Sequence, residues 1–120
     1  MERNLGHYLG TEIDGKWWKR FTRDGMSLRG KGRYWFEGDS LCFLRYLTRS
    51  PITVPMGLVK AVEVGTWHAG RWAMGIPIIK LVWLHEGQTL VSGFILGKGH
   101  SEVETIVQDL KRRMSGTRVP

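Results

Sequence analysis

The sequence is poor in residues that cross-link small domains or hold metal ions. Cys42 is the only cysteine among 120 residues, so neither a disulfide within the chain nor a multi-thiolate zinc site can form. A single thiol is typical of reducing compartments, and we expect a cytoplasmic protein, with peripheral membrane contact left open. Histidine spacings such as H-x-x-x-H are absent as well. We predict no metal and no cofactor, and four ordinary surface or loop histidines: His7, His68, His85 and His100.

Long apolar runs and targeting signals are missing too. The longest apolar stretch, residues 76–84, is interrupted by Lys80 and falls far short of the roughly 20 residues that span a bilayer. No apolar segment follows Met1, so we expect no secretory signal peptide. The length of the chain suffices for one domain with its own hydrophobic core.

No group of residues has the spacing of a catalytic site. Cys42 and Ser92 lie inside predicted strands with no histidine beside them in the sequence. Glu12 and Asp14 are close enough to pair, but they belong to a segment that we expect to be loosely packed. We therefore predict no catalytic residues and no enzymatic activity.

Acidic residues are scarce in residues 16–33, where Asp24 is the only one. The net charge of the whole chain is +7. A basic surface attracts the phosphates of nucleic acids or anionic lipids, although basic side chains also form solvated faces without any ligand. The residues that would bind an anionic ligand are Lys16, Lys19, Arg20, Arg23, Arg29, Lys31 and Arg33.

Short stretches of β-forming residues, separated by turn residues, make up most of the chain. Residues 1–15 carry three glycines and are predicted to be a loosely structured lead-in to a single domain, residues 16–116. Gly93 inside a strand predicts a bulge or a close backbone approach. We predict strands at residues 16–21, 33–37, 41–47, 58–64, 78–84 and 90–96, and an edge strand at residues 52–54.

The predicted strand at residues 16–21 contains two adjacent tryptophans. Neighbouring residues of a strand point to opposite faces of the sheet. We therefore expect one of Trp17 and Trp18 to be buried in the core and the other to be exposed.

One amphipathic helix is predicted at the C-terminal end, over residues 101–115. Ser101 and Glu104 fit the capping box that begins many helices, and Gly116 follows as a stop signal. The helix has a single apolar stripe, which must be buried against the sheet: Val103, Ile106, Val107, Leu110 and Met114.

A glycine-rich connection, residues 65–75, carries three large apolar side chains. It lacks the ending of a phosphate-binding P-loop and does not join a strand to a helix. We expect a long loop at the rim of a barrel, whose side chains either form an exposed contact surface or fold back over the core. The candidate apolar contact residues are Trp67, Trp72 and Met74.

The order of these elements resembles the pleckstrin-homology-like (PH-like) superfold, in particular the bacterial PH-like and GRAM-like domains. Residues 32–39, 52–64 and 79–96, followed by the helix, carry the resemblance. It implies a mainly β fold, a bent antiparallel barrel of about seven strands with one C-terminal α-helix plugging an open end. The segment Lys31-Gly32-Arg33 is similar to the Lys/Arg-x-Arg element of phosphoinositide-binding members, whereas the helix lacks the tryptophan usual in eukaryotic members.

Together these features favour a non-catalytic binding module for an anionic membrane surface or a protein partner. The basic residues of 16–33 would supply charge, and Trp67 and Trp72 would supply apolar contact. Two alternatives stay open. One is a nucleic-acid-binding domain that uses residues 16–33, and the other is a structural subunit that self-associates through a sheet edge or the tryptophan loop.

Overall fold

The computed structural model of the protein describes residues 4–97 and 99–114. This part of the chain contains strands, one turn of 3-10 helix and one α-helix. In chain order they are β1 (Asn4–Ile13), β2 (Lys16–Arg20), β3 (Gly30–Glu37), β4 (Ser40–Arg45), β5 (Ile52–Pro55), the 3-10 turn (Met56–Leu58), β6 (Val59–Gly65), β7 (Trp67–His68), β8 (Arg71–Trp72), β9 (Ile78–His85), β10 (Gln88–Ile95) and α1 (His100–Met114).

One antiparallel sheet contains all strands except β7 and β8. Its order is β5-β4-β3-β1-β10-β9-β6. The C-terminal part of β1 pairs with β2, and the N-terminal part of the same edge pairs with β3. Within the described residues, β5 and β6 end the ladder without pairing to each other, so the sheet is bent but open. A mainly β, PH-like fold with one C-terminal helix is thereby confirmed, and residues 52–54 lie on an edge strand as predicted.

The N-terminal segment is a central strand of this sheet. The prediction of a loosely structured lead-in is wrong for residues 4–13, which form β1 and pair with β2, β3 and β10. Tyr8 is fully buried, and its ring lies 5.4 Å from that of Phe94. Two of the three glycines that suggested a loose segment, Gly6 and Gly10, mark close packing instead. A Cβ on Gly6 would come within 2.8 Å of the Ile95 carbonyl oxygen.

The C-terminal helix covers one face of the sheet. Val103, Val107 and Leu110 of α1 are buried in the same core as Leu90 and Phe94 of β10. Burial of each such side chain contributes about 1.5–3 kcal/mol to stability, so the predicted apolar stripe anchors the helix.

The start of α1 differs slightly from the prediction. The helix begins at His100, and the carbonyl of Gly99 accepts a hydrogen bond from Val103 N at 2.9 Å. Ser101 therefore lies inside the first turn and not at the cap, because the chain becomes helical one residue earlier than the capping-box pattern indicates. Residues 115 and 116, assigned to the helix end and its stop, lie outside the described residues.

Candidate functional site

Residues 65–75, expected to be a rim loop, contain a short hairpin that packs on Gly93 of the sheet. The next residue of β10, Phe94, is buried in the core together with α1, so the hairpin lies on the opposite face of the sheet. Ala69 and Gly70 form its two-residue turn with φ of 51° and 81°, the pattern of a type I′ turn between β7 and β8. His68 is fully buried beneath the hairpin, and its Nε2 lies 2.8 Å from the carbonyl oxygen of Gly10. The imidazole packs directly on Gly93, which confirms the predicted close approach.

Buried polar contacts fix this hairpin to the sheet. The backbone N–H of Ala69 donates to Glu12 Oε2 at 2.7 Å, and Arg29 Nη2 donates to the Ala69 carbonyl at 2.6 Å. The Nδ1 atom of His68 lies 3.6 Å from the same Glu12 oxygen. Burial lowers the pKa of His68, which favours the neutral imidazole that donates from Nε2 to the Gly10 carbonyl.

His68 was predicted to be an ordinary surface or loop histidine, and that prediction is wrong. Its contacts come from β1 and β10, which are distant in sequence. The histidine spacing therefore carried no signal of its burial. The one available signal was Gly93, a glycine inside a strand.

Residues 65–75 and β2 together expose five large apolar side chains, which we call the tryptophan surface: Trp17, Trp18, Trp67, Trp72 and Met74. Trp67 and Trp72 are cross-strand partners and are exposed to 49% and 60%, because His68 takes the position that faces the sheet. Met74 is exposed as well, so these side chains do not fold back over the core. The ring of Trp17 on β2 lies next to the turn of the hairpin, since a Cβ on Gly70 would be 3.5 Å from that ring.

The expectation that one of Trp17 and Trp18 is buried is wrong. Their side chains are 54% and 61% exposed, and the two rings meet edge to face with centroids 5.8 Å apart. The reason is the position of β2, a peripheral strand that pairs with β1 through a register irregularity and buries neither of its faces.

Four basic residues lie next to this surface, and we call them the cationic cluster: Arg20, Arg29, Lys31 and Arg71. The guanidinium groups of Arg20 and Arg29 both lie within 3.3 Å of the point where a Cβ of Gly10 would stand. Burial and the charges of Arg20 and Arg71 hold the pKa of Arg29 below its usual value. Burial and the charges of Lys31 and Arg71 lower the pKa of His7 in the same region. Arg71 was not among the predicted site residues, because it belongs to the tryptophan-bearing segment in the sequence.

The other predicted basic residues do not enter the cluster. Lys16 and Lys19 are exposed on β2, beside Trp17 and Trp18. Arg23 lies over the Phe21 ring with 5.2 Å to the centroid, and Arg33 is exposed on β3. The basic segment therefore converges only in part, through Arg20, Arg29 and Lys31.

The described residues also bring together one group of potential metal ligands, Asp24, His85 and Glu86. Their ligand atoms all lie within 4.8 Å of one another. Sequence spacing missed this group because Asp24 lies on a different turn from His85 and Glu86. Nε2 of His85 is 2.8 Å from Asp24 Oδ2, so these two side chains already satisfy each other as a hydrogen-bonded pair.

The two nucleophilic residues considered in the sequence, Cys42 and Ser92, are both buried within strands. Burial raises the pKa of the Cys42 thiol. The Ser92 hydroxyl accepts a hydrogen bond from Trp83 Nε1 at 3.0 Å and contacts Thr11 Oγ1 at 2.8 Å. Both side chains therefore have packing roles in the core.

The comparison with protein families agrees with this architecture. The chain matches the family described as Bacterial PH domain-like over residues 1–111, so it belongs to this family of PH-like modules, which are generally non-catalytic. No curated protein matches the chain. Within the described part of the chain, no helix has the length and apolar character required to cross a bilayer.

Proposed function

We propose that this PH-like domain is a non-catalytic module that binds anionic membrane surfaces through its tryptophan surface. The observation that carries the proposal is the exposure of four of the six tryptophans, Trp17, Trp18, Trp67 and Trp72. Exposed large apolar side chains grouped on neighbouring elements mark an interaction site. Tryptophan favours the boundary between lipid headgroups and acyl chains, because its ring is large and apolar while its indole N–H stays hydrated.

The exposed tryptophans of the hairpin are held in place by buried contacts on the other side of the same hairpin. His68 and Ala69 tie the turn to Gly10 and Glu12, so Trp67 and Trp72 are directed away from the sheet. Their exposure is therefore a defined feature of the fold. A surface that is ordered before it binds loses less conformational entropy on binding.

Charge next to this surface supports an anionic target. Lys16 and Lys19 flank Trp17 and Trp18 on β2, and both are exposed. A Lys or Arg close to an anionic leaflet contributes about 1 kcal/mol to binding, and this contribution is screened by salt. Insertion of tryptophan and attraction to the lipid headgroups would then act on the same face of the domain.

The direct test is sedimentation with vesicles of phosphatidylcholine alone and with vesicles that also contain phosphatidylglycerol. We expect binding that rises with the phosphatidylglycerol fraction and falls with salt. Trp72→Ala should weaken binding severalfold. The matched control is Leu47→Ala, which removes a side chain that is 97% exposed outside the tryptophan surface and should leave binding unchanged.

Two results would contradict a membrane function. Absence of binding to both kinds of vesicle at low salt would exclude it, and saturable binding of single-stranded DNA or RNA with a steep salt dependence would then favour a nucleic-acid partner. A mass that rises with concentration in light scattering, and returns to the monomer in Trp72→Ala, would instead show that the tryptophan surface joins copies of the chain.

A further inference from the structure

The cationic cluster holds positive charge that the protein itself does not neutralise. Among the described residues, no carboxylate oxygen lies within 4.0 Å of the side-chain nitrogens of Arg20, Arg29 or Arg71. Arg20 and Arg29 each donate one hydrogen bond to a neutral carbonyl, that of Ser27 at 3.2 Å and that of Ala69 at 2.6 Å. Their charges are therefore oriented but not compensated.

Unused donors remain on both of these guanidinium groups. The Nε atoms of Arg20 and Arg29 are buried without a hydrogen-bond partner, and neither Nη1 atom has a partner among the described residues. The nearby carboxylate of Glu12 is engaged by the Ala69 N–H at 2.7 Å. Desolvation and mutual repulsion disfavour this arrangement, and an anion bound to the outer nitrogens would relieve the repulsion.

We infer that Arg20, Arg29 and Arg71 form a binding site for one phosphate group of a phosphomonoester. Guanidinium groups match phosphate oxygens with paired hydrogen bonds, and three positive charges suit a phosphomonoester, which carries nearly two negative charges at neutral pH. Lys31 is the cross-strand partner of His7 on β3 and adds a fourth charge at the margin of the site.

The position of the site connects it to the surface described above, and as a lipid site it rests on the proposed membrane function. Arg71 pairs with His68, so its side chain leaves the hairpin on the face that turns toward the sheet, whereas Trp67 and Trp72 leave it on the other face. A phosphate at the cluster would therefore lie at the margin of the tryptophan surface, between the hairpin and the sheet. Gly10 permits this geometry, because its backbone leaves room for both Arg20 and Arg29.

The decisive experiment compares vesicles that contain phosphatidic acid, a phosphomonoester lipid, with vesicles that contain phosphatidylglycerol at equal total charge. We expect the wild-type domain to bind the phosphatidic acid vesicles roughly tenfold more tightly. Arg71→Gln should abolish this preference. The matched control, Arg112→Gln on α1, removes the same charge from a side chain 69% exposed on the opposite face of the sheet, and should retain the preference.

A second variant separates geometry from charge. Arg29→Lys keeps the positive charge but loses the planar pair of donors, so the ratio of its affinities for phosphatidic acid and phosphatidylglycerol vesicles should fall toward one. Circular dichroism would establish that each variant is folded. Equal affinity of the folded wild type for both lipids would overturn a lipid phosphomonoester site, while the proposed membrane function would stand.

Titration with inorganic phosphate, against chloride at equal ionic strength, identifies the source of the phosphate. The readout is the NMR signals of the arginine Nε–H groups. Saturable shifts in the wild type but not in Arg71→Gln, without any vesicle binding, would uphold the phosphate site for a soluble ligand and overturn the membrane function. No saturable shift and no lipid preference would overturn the site.

Discussion

The imidazole of His68 occupies the space into which a side chain on Gly93 would project. A Cβ at Gly93 would come within 2.8 Å of His68 Nε2, the atom that also contacts the Gly10 carbonyl. A strand glycine of β10 therefore determines how closely the β7–β8 hairpin approaches the sheet. Because this hairpin carries Trp67, Arg71 and Trp72, the same packing contact positions the part of the candidate surface that the hairpin supplies.

Substitution of Gly93 by alanine should displace this hairpin. The added methyl group overpacks the contact with His68, so Gly93→Ala should lower the free energy of unfolding by about 1–3 kcal/mol. Urea denaturation measures the change. The control is Gly57→Ala, where a Cβ would meet nothing within 4 Å, and it should change stability by less than about 0.5 kcal/mol. Equal stability of the two variants would show that the hairpin does not depend on Gly93.

Stability should fall on acidification because His68 is buried in its neutral form. Burial, the largest cause, lowers the pKa of His68. The hydrogen bond with the Gly10 carbonyl and the charge of Glu12 oppose this shift, and the charges of Lys80 and Arg29 add to it. The unfolded chain then binds a proton more readily than the folded one, so the stabilisation is complete above about pH 6.5 and is lost as the pH falls below it. Urea denaturation as a function of pH should show a slope of up to about 1.4 kcal/mol per pH unit for this proton.

The variant His68→Gln tests the origin of this slope. Glutamine can still donate to the Gly10 carbonyl but does not titrate, so the pH dependence below about pH 6.5 should become shallower. His7, whose pKa is lowered by burial and by Lys31 and Arg71, should account for a further part, which His7→Gln would remove. Identical pH profiles for the wild type and His68→Gln would refute the assignment.

A buried hydroxyl chain should make Ser92 sensitive to truncation. Ser92 Oγ accepts from Trp83 Nε1 at 3.0 Å and lies 2.8 Å from Thr11 Oγ1, which in turn lies 2.6 Å from the Tyr8 hydroxyl. Ser92→Ala leaves the indole N–H without its acceptor and should cost about 1–3 kcal/mol.

A double-mutant cycle tests this hydrogen bond. Trp83→Phe removes the donor, so Ser92→Ala should cost less in that background than in the wild type. Urea denaturation of the four proteins gives the coupling free energy. A coupling of zero would contradict an energetic role for the bond between Trp83 and Ser92.

The single thiol offers a probe of opening of the sheet. Cys42 is 3% exposed on β4, and burial raises its pKa, so the native protein should react with thiol reagents only as fast as the strand becomes exposed. Labelling with a chromogenic disulfide should be slow in buffer and fast in urea. If Cys42 becomes exposed only when the whole domain unfolds, the less stable variant Gly93→Ala should be labelled faster. Labelling of the native protein at the rate of the unfolded chain would contradict burial of Cys42.

Several elements followed from local pattern, because their signals lie within a few consecutive residues. The apolar stripe of α1 predicted its core contacts, and Pro51 and Pro55 predicted an edge strand between them. β1 was missed because its glycines resemble those of a loose segment. Only the partner strands show that Gly6 and Gly10 allow close approach of Ile95, Arg20 and Arg29.

The candidate surface shows the same division. Exposure of Trp67 and Trp72 was one of two outcomes left open by the sequence, and burial of His68 decided between them. Convergence of Arg71 with Arg20 and Arg29 had no local signal, since these residues come from separate segments of the chain. The prediction that one of Trp17 and Trp18 is buried was wrong, because alternation within a strand predicts burial only when one face of the strand is covered.

The sequence by itself determined a mainly β, PH-like domain closed by one helix, because β-forming stretches, turn residues and an amphipathic period are local properties of the chain. The tertiary structure decided which face carries the candidate site. Placement of the β7–β8 hairpin depends on contacts of His68 with Gly10 and Gly93, which are far apart in sequence. The basic and the apolar side chains of the candidate site come from separate segments, and it is the folded sheet that brings β2 and the β7–β8 hairpin together.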